Sequence, residues 1–340
     1  MIYLHGMGHF HPENVITNSF LADLDIGCSE EWIMERLGIE SRQTILELDY
    51  IRSTKNRDPR QALEASIYSH GEIGARAAEM ALKRAGISAE DIGMVICGCS
   101  APGHVSPAEA ACVAAELDIT VPCLDITSAC TTFGAQIYMI SMMQPAASTP
   151  YILVVNPESL TQTIDYSDRR SVPIFGDCAT AAVVSLTVPS NITIDNCLLE
   201  SNPAGWDKVM VPRLEHFVQD GNAVQGFAIR KATEGLRRLQ AIYNGGDPDR
   251  FKFVGHQANL GMLQTVSERC AIDELNHWHN VIKYGNTGCS SGPSVLSQNW
   301  DRIKPGDHLA LVLVGSGLTW VSMMIAAKKS SQGSTLNDLR

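Results

Sequence analysis

The sequence lacks several features that mark common classes of protein. Its 340 residues carry 26 Lys and Arg against 37 Asp and Glu, a formal net charge of −11, so no basic excess is available to displace counterions from nucleic acid. No glycine-rich dinucleotide or phosphate loop appears. No apolar run approaches the roughly 20 residues that a membrane-spanning helix needs. We therefore expect no nucleic-acid partner, no membrane insertion and no nucleotide-binding loop.

The composition is that of an ordinary globular protein. Hydrophobic residues make up 45% of the chain and charged residues 19%, enough apolar material for one large domain or two fused halves. The first residues do not have the pattern of a secretion signal. We therefore expect a soluble, cytoplasmic protein whose ten cysteines are reduced thiols, most of them in the core.

Metal binding is not indicated by the spacing of potential ligands. Three pairs of ligand-type side chains occur at i, i+2 spacing, and none has a second pair at a distance typical of zinc sites. We interpret them as strand or turn residues and expect no metal site. The pairs are His9 with His11, Cys97 with Cys99, and His277 with His279.

Predicted strands alternate with predicted helices along most of the chain, which favours a largely parallel α/β sheet. Residues 46–69 interrupt the pattern with a polar, charged stretch that we expect to cover or shape an entrance. Helices are predicted over 31–39, 72–85, 107–117 and 130–143. Strands are predicted over 2–8, 92–97, 122–126, 151–156, 179–186, 251–255, 279–283 and 309–314.

The second half of the chain repeats the order of the first, with strands that end in polar, reactive residues. Such a repeat is typical of a duplicated fold with one active site where the halves meet. We expect an N-terminal half over residues 1–186, a C-terminal half over 187–327 and a polar tail over 328–340.

Three residues follow predicted strands and are candidates for chemistry. Cys130 precedes a helix among small neighbours, where the helix dipole favours a thiolate. His256 follows an apolar strand, and Asn286 lies in the turn Gly285-Asn286-Thr287-Gly288. Each has an ordinary alternative, namely a buried structural cysteine, a capping or core histidine, and an asparagine chosen for its turn conformation.

Taken together, these elements resemble the β-ketoacyl-carrier-protein synthase III family of the thiolase superfamily. The resemblance runs in family order from about residue 1 to residue 327. The matching segments are Glu31-Trp32-Ile33 with Gly38-Ile39, Ser128-Ala129-Cys130, Asp165 to Arg169 leading to Phe175-Gly176-Asp177, His256-Gln257-Ala258-Asn259, Gly285-Asn286-Thr287, Ile303-Lys304-Pro305-Gly306 and Gly315-Ser316-Gly317-Leu318-Thr319-Trp320.

The resemblance implies a five-layer αβαβα fold of two similar halves, usually homodimeric. Cys130 would be the nucleophile, with the backbone NH groups of Cys130 and Ser316 binding its thioester oxyanion. His256 and Asn286 would donate hydrogen bonds to the second thioester. Ser316 stands where the family often has glycine.

The resemblance also implies the substrates. Acyl-coenzyme A or phosphopantetheine-carrier thioesters would be used without a further cofactor, with an acyl carrier protein as partner. The coenzyme A or pantetheine contacts would come from Trp32, Arg36, Arg169 and Asn259, and an indole with a guanidinium can sandwich adenine.

Three departures from the primer-using members bear on the reaction. Ser106 replaces a bulky aromatic residue that reaches into the partner's acyl pocket, and the smaller side chain favours a longer acyl channel. The glutamate that olefin-forming relatives use as a base at this position is also absent. The segment 46–69 is about fifteen residues longer than in the fatty-acid enzymes, and its sequence resembles that of the ketosynthases that join two polyketide chains into α-pyrones. Gly261 replaces a carrier-docking arginine, so docking would fall to other basic residues, namely Arg230, Lys231, Arg237 and Arg238.

These features predict a carbon–carbon bond-forming ketosynthase of polyketide or other specialised metabolism. A condensation of two β-ketoacyl chains needs a base but no decarboxylation, and His256 is the nearest candidate. The alternatives are a fatty-acid-initiating synthase III, an acyltransferase to an alcohol or amine, and a non-catalytic partner subunit.

Overall fold

The computed structural model describes residues 1–145 and 149–328. Its strands are β1 (Ile2–Phe10), β2 (Asn14–Thr17), β3 (Ser41–Thr44), β4 (Ile92–Cys97), β5 (Cys123–Asp125), β6 (Tyr151–Ser159), β7 (Asp177–Ser185), β8 (Ile192–Ser201), β9 (Val209–Met210), β10 (Val218–Gln219), β11 (Phe251–Gly255), β12 (His308–Gly315) and β13 (Thr319–Ala327). Its helices are α1 (Asn18–Asp23), α2 (Glu30–Leu37), α3 (Leu48–Thr54), α4 (His70–Ala85), α5 (Glu109–Glu116), α6 (Thr132–Ser141), α7 (Gly221–Ile242), α8 (Leu260–Arg269), α9 (Val281–Tyr284) and α10 (Ser291–Gln298).

Nine strands form one mixed sheet in the order β11-β12-β13-β8-β1-β7-β6-β4-β5. Three of its eight pairings, β11 with β12, β4 with β5 and β4 with β6, are parallel, and the other five are antiparallel. The expectation of a largely parallel sheet is therefore wrong. Helical crossovers join β4 to β5 and β5 to β6, whereas a tight turn joins β12 to β13, and such a turn produces antiparallel neighbours.

The fold has the expected five layers. The sheet has two parts, β5-β4-β6-β7-β1 and β8-β13-β12-β11, joined where β1 pairs with β8 over only three residues. Between the two parts lie α6 and α10, whose Phe133 and Val295 belong to one core cluster with Val154 and Leu311. Helices α4 and α5 cover the outer face of the first part, and α7 and α8 cover that of the second.

The pairing pattern repeats between the two parts. In the first, β4 runs parallel to β6, which is followed by antiparallel β7 and β1, and in the second β11, β12, β13 and β8 follow the same pattern. The half boundary at residue 186 stays a prediction. The expected tail at 328–340 lies outside the described residues except for Lys328.

Local sequence explains the ends of the long outer helix α4. Ser69 and Glu72 form a reciprocal capping box at its start, and Gly86 ends it in the left-handed conformation with φ +70°. The capping box satisfies backbone NH groups that the first helical turn leaves without partners. The predicted helix 72–85 is confirmed with a slightly earlier start.

Two local predictions differ from the structure. Residues 279–283 are predicted as a strand, but α9 occupies 281–284 and the sheet-like contact there is a single bridge between Phe253 and His277. Residues 46–69 do not line the cavity, so the expected cover is not seen, and a role in shaping the entrance stays a prediction. They form α3 and a short 3-10 turn whose buried Ile51 and Ala62 pack in the cluster of Leu160, because enough apolar residues lie within the polar stretch to anchor it behind the cavity wall.

Candidate active site

One cavity of about 890 Å³ brings nearly all of the predicted site residues together. It lies where the C-terminal ends of β5, β11 and β12 approach each other. The exception is Ser106, which is exposed and does not line the cavity of its own chain. The site residues that line the cavity are Trp32, Arg36, Cys130, Arg169, His256, Asn259, Asn286 and Ser316.

Cys130 is presented by a constrained turn between β5 and α6. The preceding Ala129 has φ +46°, a conformation that L-residues seldom adopt. Gly315 lies so close that a Cβ there would be 3.1 Å from the Cys130 backbone nitrogen. Thr131, the N-cap of α6, shares a 2.8 Å hydrogen bond with Thr319. The turn that holds the cysteine is therefore tied to the β12–β13 turn.

The expected thiolate is not supported by the electrostatics of the site. Burial, followed by the charge of Glu158, raises the pKa of the Cys130 thiol to about 12, against a smaller opposing contribution from its own backbone NH. Glu158 is fully buried and accepts hydrogen bonds from the Ser100 and Cys289 backbones. Cys130 also precedes the first residue of α6 by two positions, so desolvation outweighs the helix dipole. The resting residue is a neutral thiol.

This pKa has a measurable consequence. We expect the rate of Cys130 alkylation by iodoacetamide to be low at neutral pH and to rise about tenfold per pH unit without a plateau up to about pH 9, because only the thiolate reacts. Rates are obtained by mass spectrometry of the Cys130 peptide at each pH. A plateau near neutral pH would instead indicate a thiolate stabilised in the resting site.

His256 follows β11 and is held by one hydrogen bond. Its Nδ1 lies 3.0 Å from the Ser291 hydroxyl at the start of α10. When Ser291 donates to Nδ1, the ring proton is on Nε2, which is free to donate into the cavity. Burial lowers the pKa of His256 to about 4, so the imidazole is neutral. It is suited to donating a hydrogen bond and poorly suited to holding an additional proton.

Asn286 is oriented by its own loop. Its Oδ1 accepts a 3.0 Å hydrogen bond from Gly288 NH, which leaves the amide NH₂ as the available donor. Its backbone pairs with that of Ile174 and Gly176 at 2.8 and 3.1 Å. Gly285 has φ +63°, and a Cβ there would be 2.6 Å from the Ile174 carbonyl oxygen. The glycine is therefore required for the close approach that places the amide.

The turn after β12 accommodates serine at position 316. The Ser316 hydroxyl donates to the Val209 carbonyl of β9, and Thr319 donates to the Ser316 carbonyl at 2.9 Å. The left-handed position in this turn falls to Gly317, with φ +127°, where glycine is favoured. The Ser316 side chain thus has its own hydrogen-bond partner, and the turn accommodates serine where the family often has glycine.

At the outer end of the cavity, the guanidinium of Arg169 lies over the Trp32 ring, 5.2 Å from its centroid. An adenine between them would need about 7 Å, twice the usual contact distance, so the pair must open to admit one. Exposed Arg36 lies on the same helix, α2. Asn259 caps α8 through Oδ1, 2.8 Å from Met262 N, which leaves its amide NH₂ as the available donor to pantetheine. These four binding roles stay predictions.

No sequence pattern points to two parts of the site. One is Ser291, whose hydroxyl shares a hydrogen bond with Nδ1 of His256. The other is the wall formed by β9, β10 and the segment between them, whose only regular structure is a two-residue strand pair, too short to give a periodic signal. Its apolar side chains face the cavity together with those of α7, namely Val209, Met210, Val211, Phe217, Val224 and Phe227.

Two of the basic residues predicted for carrier docking are held within the protein. Arg238 donates to the backbone of Asn196 at 2.7 Å and to Ser322. Lys231 pairs with Glu234 at 2.8 Å. Arg230 and Arg237 are both exposed; Arg230 lies 4.0 Å from Glu234, and Arg237 donates to the Arg269 carbonyl at 3.0 Å. None of the helices in the described ranges has the length and apolar character needed to span a bilayer.

Comparison with known proteins identifies the family. A family model described as 3-oxoacyl-[acyl-carrier-protein] synthase III matches residues 124–203, and the model of its C-terminal part matches residues 246–327. A β-ketoacyl-[acyl-carrier-protein] synthase III of Aliarcobacter butzleri is 30% identical over 345 residues, covering 95% of this chain and 98% of the relative. That of Campylobacter curvus is 29% identical, with 92% and 93% covered.

Solved structures agree with these relatives. The 3-oxoacyl-[acyl-carrier-protein] synthase III of Aquifex aeolicus superposes with a TM-score of 0.83 at 25% identity, covering 96% of this chain and all of the other. The synthase III of Thermus thermophilus gives 0.81 at 28% identity, with 95% and 98% covered. The chain therefore belongs to the β-ketoacyl-[acyl-carrier-protein] synthase III family and is an acyl-transferring ketosynthase that condenses acyl thioesters.

Proposed function

We propose that the protein forms a carbon–carbon bond between an acyl group on Cys130 and a second thioester bound beside His256 and Asn286. The supporting observation is that one cavity holds the thiol and two neutral hydrogen-bond donors, with Trp32 and Arg169 at its outer end. The acyl group transfers from its carrier to the Cys130 sulfur, and the departing thiol takes the proton. The thioester oxyanion is stabilised by the backbone NH groups of Cys130 and Ser316.

The second half-reaction uses the two donors. The Nε2 proton of His256 and the amide of Asn286 bind the carbonyl oxygen of the incoming thioester and stabilise the enolate that forms when this thioester loses an α-proton to a base or loses carbon dioxide. The enolate carbon attacks the acyl carbonyl, and the C–S bond to Cys130 breaks. Among the described residues, no hydrogen bond joins Cys130 to His256, which supports separate roles for the thiol and the imidazole.

We assign the enzyme to polyketide or other specialised metabolism, with long or elaborated acyl chains as substrates, including the joining of two β-ketoacyl chains into an α-pyrone. The supporting features are Ser106 in place of an aromatic residue and the largely apolar cavity wall. A second candidate, initiation of fatty-acid synthesis, is equally consistent with the similarity to β-ketoacyl-[acyl-carrier-protein] synthase III enzymes. We place the enzyme in the cytoplasm as a homodimer that accepts substrates from an acyl carrier protein.

In that homodimer, the loop before α5 would line the partner's acyl channel. Ser106 and its neighbour Val105 are exposed in the single chain, Val105 by 77%. Both side chains are therefore accessible to a partner subunit.

Loading experiments test the acyl specificity. We expect Cys130 to be acylated faster by medium or long β-ketoacyl thioesters than by acetyl-coenzyme A, because each buried methylene contributes about 0.8 kcal/mol. Ser106→Phe should slow loading by long chains and spare acetyl. Intact-protein mass spectrometry over a series of acyl thioesters gives both rates.

Ser167→Phe is the matched control, since Ser167 is also exposed but lies on a different loop and does not line the cavity. Its chain-length profile should equal that of the unsubstituted protein. Fastest loading by acetyl, with a profile unchanged in Ser106→Phe, would assign the enzyme to fatty-acid initiation instead.

A further inference from the structure

A buried histidine–glutamate pair lies beside the cavity and has no assigned role in the proposed condensation. His70 and Glu109 are the first residues of α4 and α5, and their side chains are 4% and 2% exposed. His70 Nδ1 lies 3.2 Å from Glu109 Oε1. Gly103 NH donates to the same carboxylate oxygen at 2.6 Å. Glu109 lines the cavity that contains Cys130.

The surroundings allow this pair to hold a proton near neutral pH. Burial alone would lower the pKa of His70, but the hydrogen bond and charge of Glu109, with the carboxylates of Glu158 and Asp177, raise it above 6.5. Burial would raise the pKa of Glu109, but His70, Gly103 NH and His104 lower it. The pair therefore binds a proton as an imidazolium beside a carboxylate.

The neighbouring thiols do not compete for this proton, whereas buried Asp177, whose pKa is raised by desolvation to about 6, titrates close to it. Desolvation and nearby carboxylates raise the pKa values of the neighbouring thiols, two of them buried and one partly exposed, so they stay neutral. The thiols are Cys97, Cys99 and Cys112. Asp125 accepts hydrogen bonds from the Glu109 and Ala110 backbones at the start of α5 and is occupied as its cap.

His256 has no comparable counter-charge, and burial holds its pKa at about 4. A base that removes an α-proton works best when its pKa lies near the working pH. Glu109 is held as a carboxylate, and His70, whose pKa is raised above 6.5, can hold a proton passed on from it, whereas His256 cannot. His70 Nε2 is buried without a hydrogen-bond partner among the described residues, a cost that a purely structural ion pair would not be expected to retain.

Building on the proposed condensation, we infer that Glu109, tuned by His70, is the base that removes the α-proton of a β-ketoacyl thioester, so that this second substrate reacts without loss of carbon dioxide. The Cα–H bond breaks, and the proton passes to Glu109 and on to His70 Nδ1. The electron pair forms the enolate held by His256 and Asn286. After carbon–carbon bond formation expels the Cys130 thiolate, that thiolate takes the proton back and the pair returns to its starting state.

The test measures proton removal apart from condensation. In the Cys130→Ala protein, which cannot be acylated at that position, 3-oxodecanoyl-coenzyme A in deuterated buffer should exchange its C2 hydrogens faster than without protein, followed by NMR. Glu109→Gln in the same background should reduce the enzyme-dependent exchange by about 100-fold or more. The amide keeps the acceptor for Gly103 NH, and thermal unfolding checks the fold. Glu116→Gln, an exposed residue on the same helix, is the control and should match the parent.

The pH profile separates the base from a structural pair. Exchange should rise with pH through a midpoint above 6.5, where His70 loses its proton, and His70→Gln should remove that rise. A profile that is flat between about pH 5 and 9, or equal exchange in Glu109→Gln and Glu116→Gln, would overturn the assignment.

A last comparison separates this inference from the proposed function. Glu109→Gln with Cys130 intact should still be acylated at the unsubstituted rate, and it should still condense with a malonyl thioester if the protein accepts one, because decarboxylation supplies the enolate without a base. Failure of the unsubstituted protein to acylate Cys130 would refute the proposed function. The exchange experiment would still test the role of Glu109, because it does not depend on acylation.

Discussion

Replacing Cys130 by alanine is expected to abolish both acyl loading and condensation, with a rate loss on the order of 10⁴-fold or more, as for other enzymes that lose a covalent nucleophile. The expectation rests on the position of the sulfur in the cavity beside His256, Asn286 and the β12–β13 turn. Digestion of the unsubstituted protein after treatment with an acyl thioester should place the added mass on the Cys130 peptide.

The competing thiol in the cavity is Cys99, which also lines it. Added mass on the Cys99 peptide, with turnover retained in Cys130→Ala, would show that Cys99 and not Cys130 is the nucleophile. Cys112→Ala serves as the control because Cys112 is partly exposed on α5 and does not line the cavity. That protein should load and condense normally, since alanine is favourable in a helix.

Apolar patterning predicted most of the elements but not how they pair. The strand 92–97 and the cap of α4 follow from residues near in sequence. The direction of pairing depends on connections that the pattern does not describe, which is why the parallel interpretation fails. Residues 279–283 carry a strand-like pattern, yet the chain turns into α9 after a single bridge to Phe253, and this difference is decided by tertiary contacts.

In the candidate site, the positions of the residues could be predicted from the sequence, but their protonation states could not. Cys130, His256 and Asn286 each follow a strand or a glycine turn, so the sequence could place them at one edge of the fold. The protonation states could not be predicted, because they depend on burial and on Glu158, which is distant in sequence from the thiol. The His70–Glu109 pair joins residues 39 positions apart, and neither belongs to a segment that the family resemblance marks.

Removing either donor to the second substrate should impair condensation far more than acyl loading. We expect His256→Ala and Asn286→Asp each to reduce the condensation rate by about 10²- to 10³-fold, the usual cost of losing an oxyanion-type donor, while loading of Cys130 changes little. Aspartate can still accept from Gly288 NH, so the loop is kept, while the NH₂ donor is lost and a carboxylate that repels the enolate takes its place. Single-turnover measurements of each half-reaction give the two rates. His308→Gln, at the opposite end of β12 from the site, is the control.

The two donors are proposed to bind one oxygen, and the double variant tests that arrangement. When two groups stabilise the same developing charge, their losses do not add, so His256→Ala with Asn286→Asp should lose less than the product of the single losses. Multiplicative losses would mean that the residues act on separate atoms or steps. Equal damage to loading and condensation would place His256 in the activation of Cys130, against the absence of a hydrogen bond between them in the described part of the chain. Because the thiol pKa is about 12, such a role would make loading rise about tenfold per pH unit once His256 is removed, since only the free thiolate would then react. With separate roles, removing His256 leaves the pH profile of loading unchanged, and that comparison decides between the two arrangements.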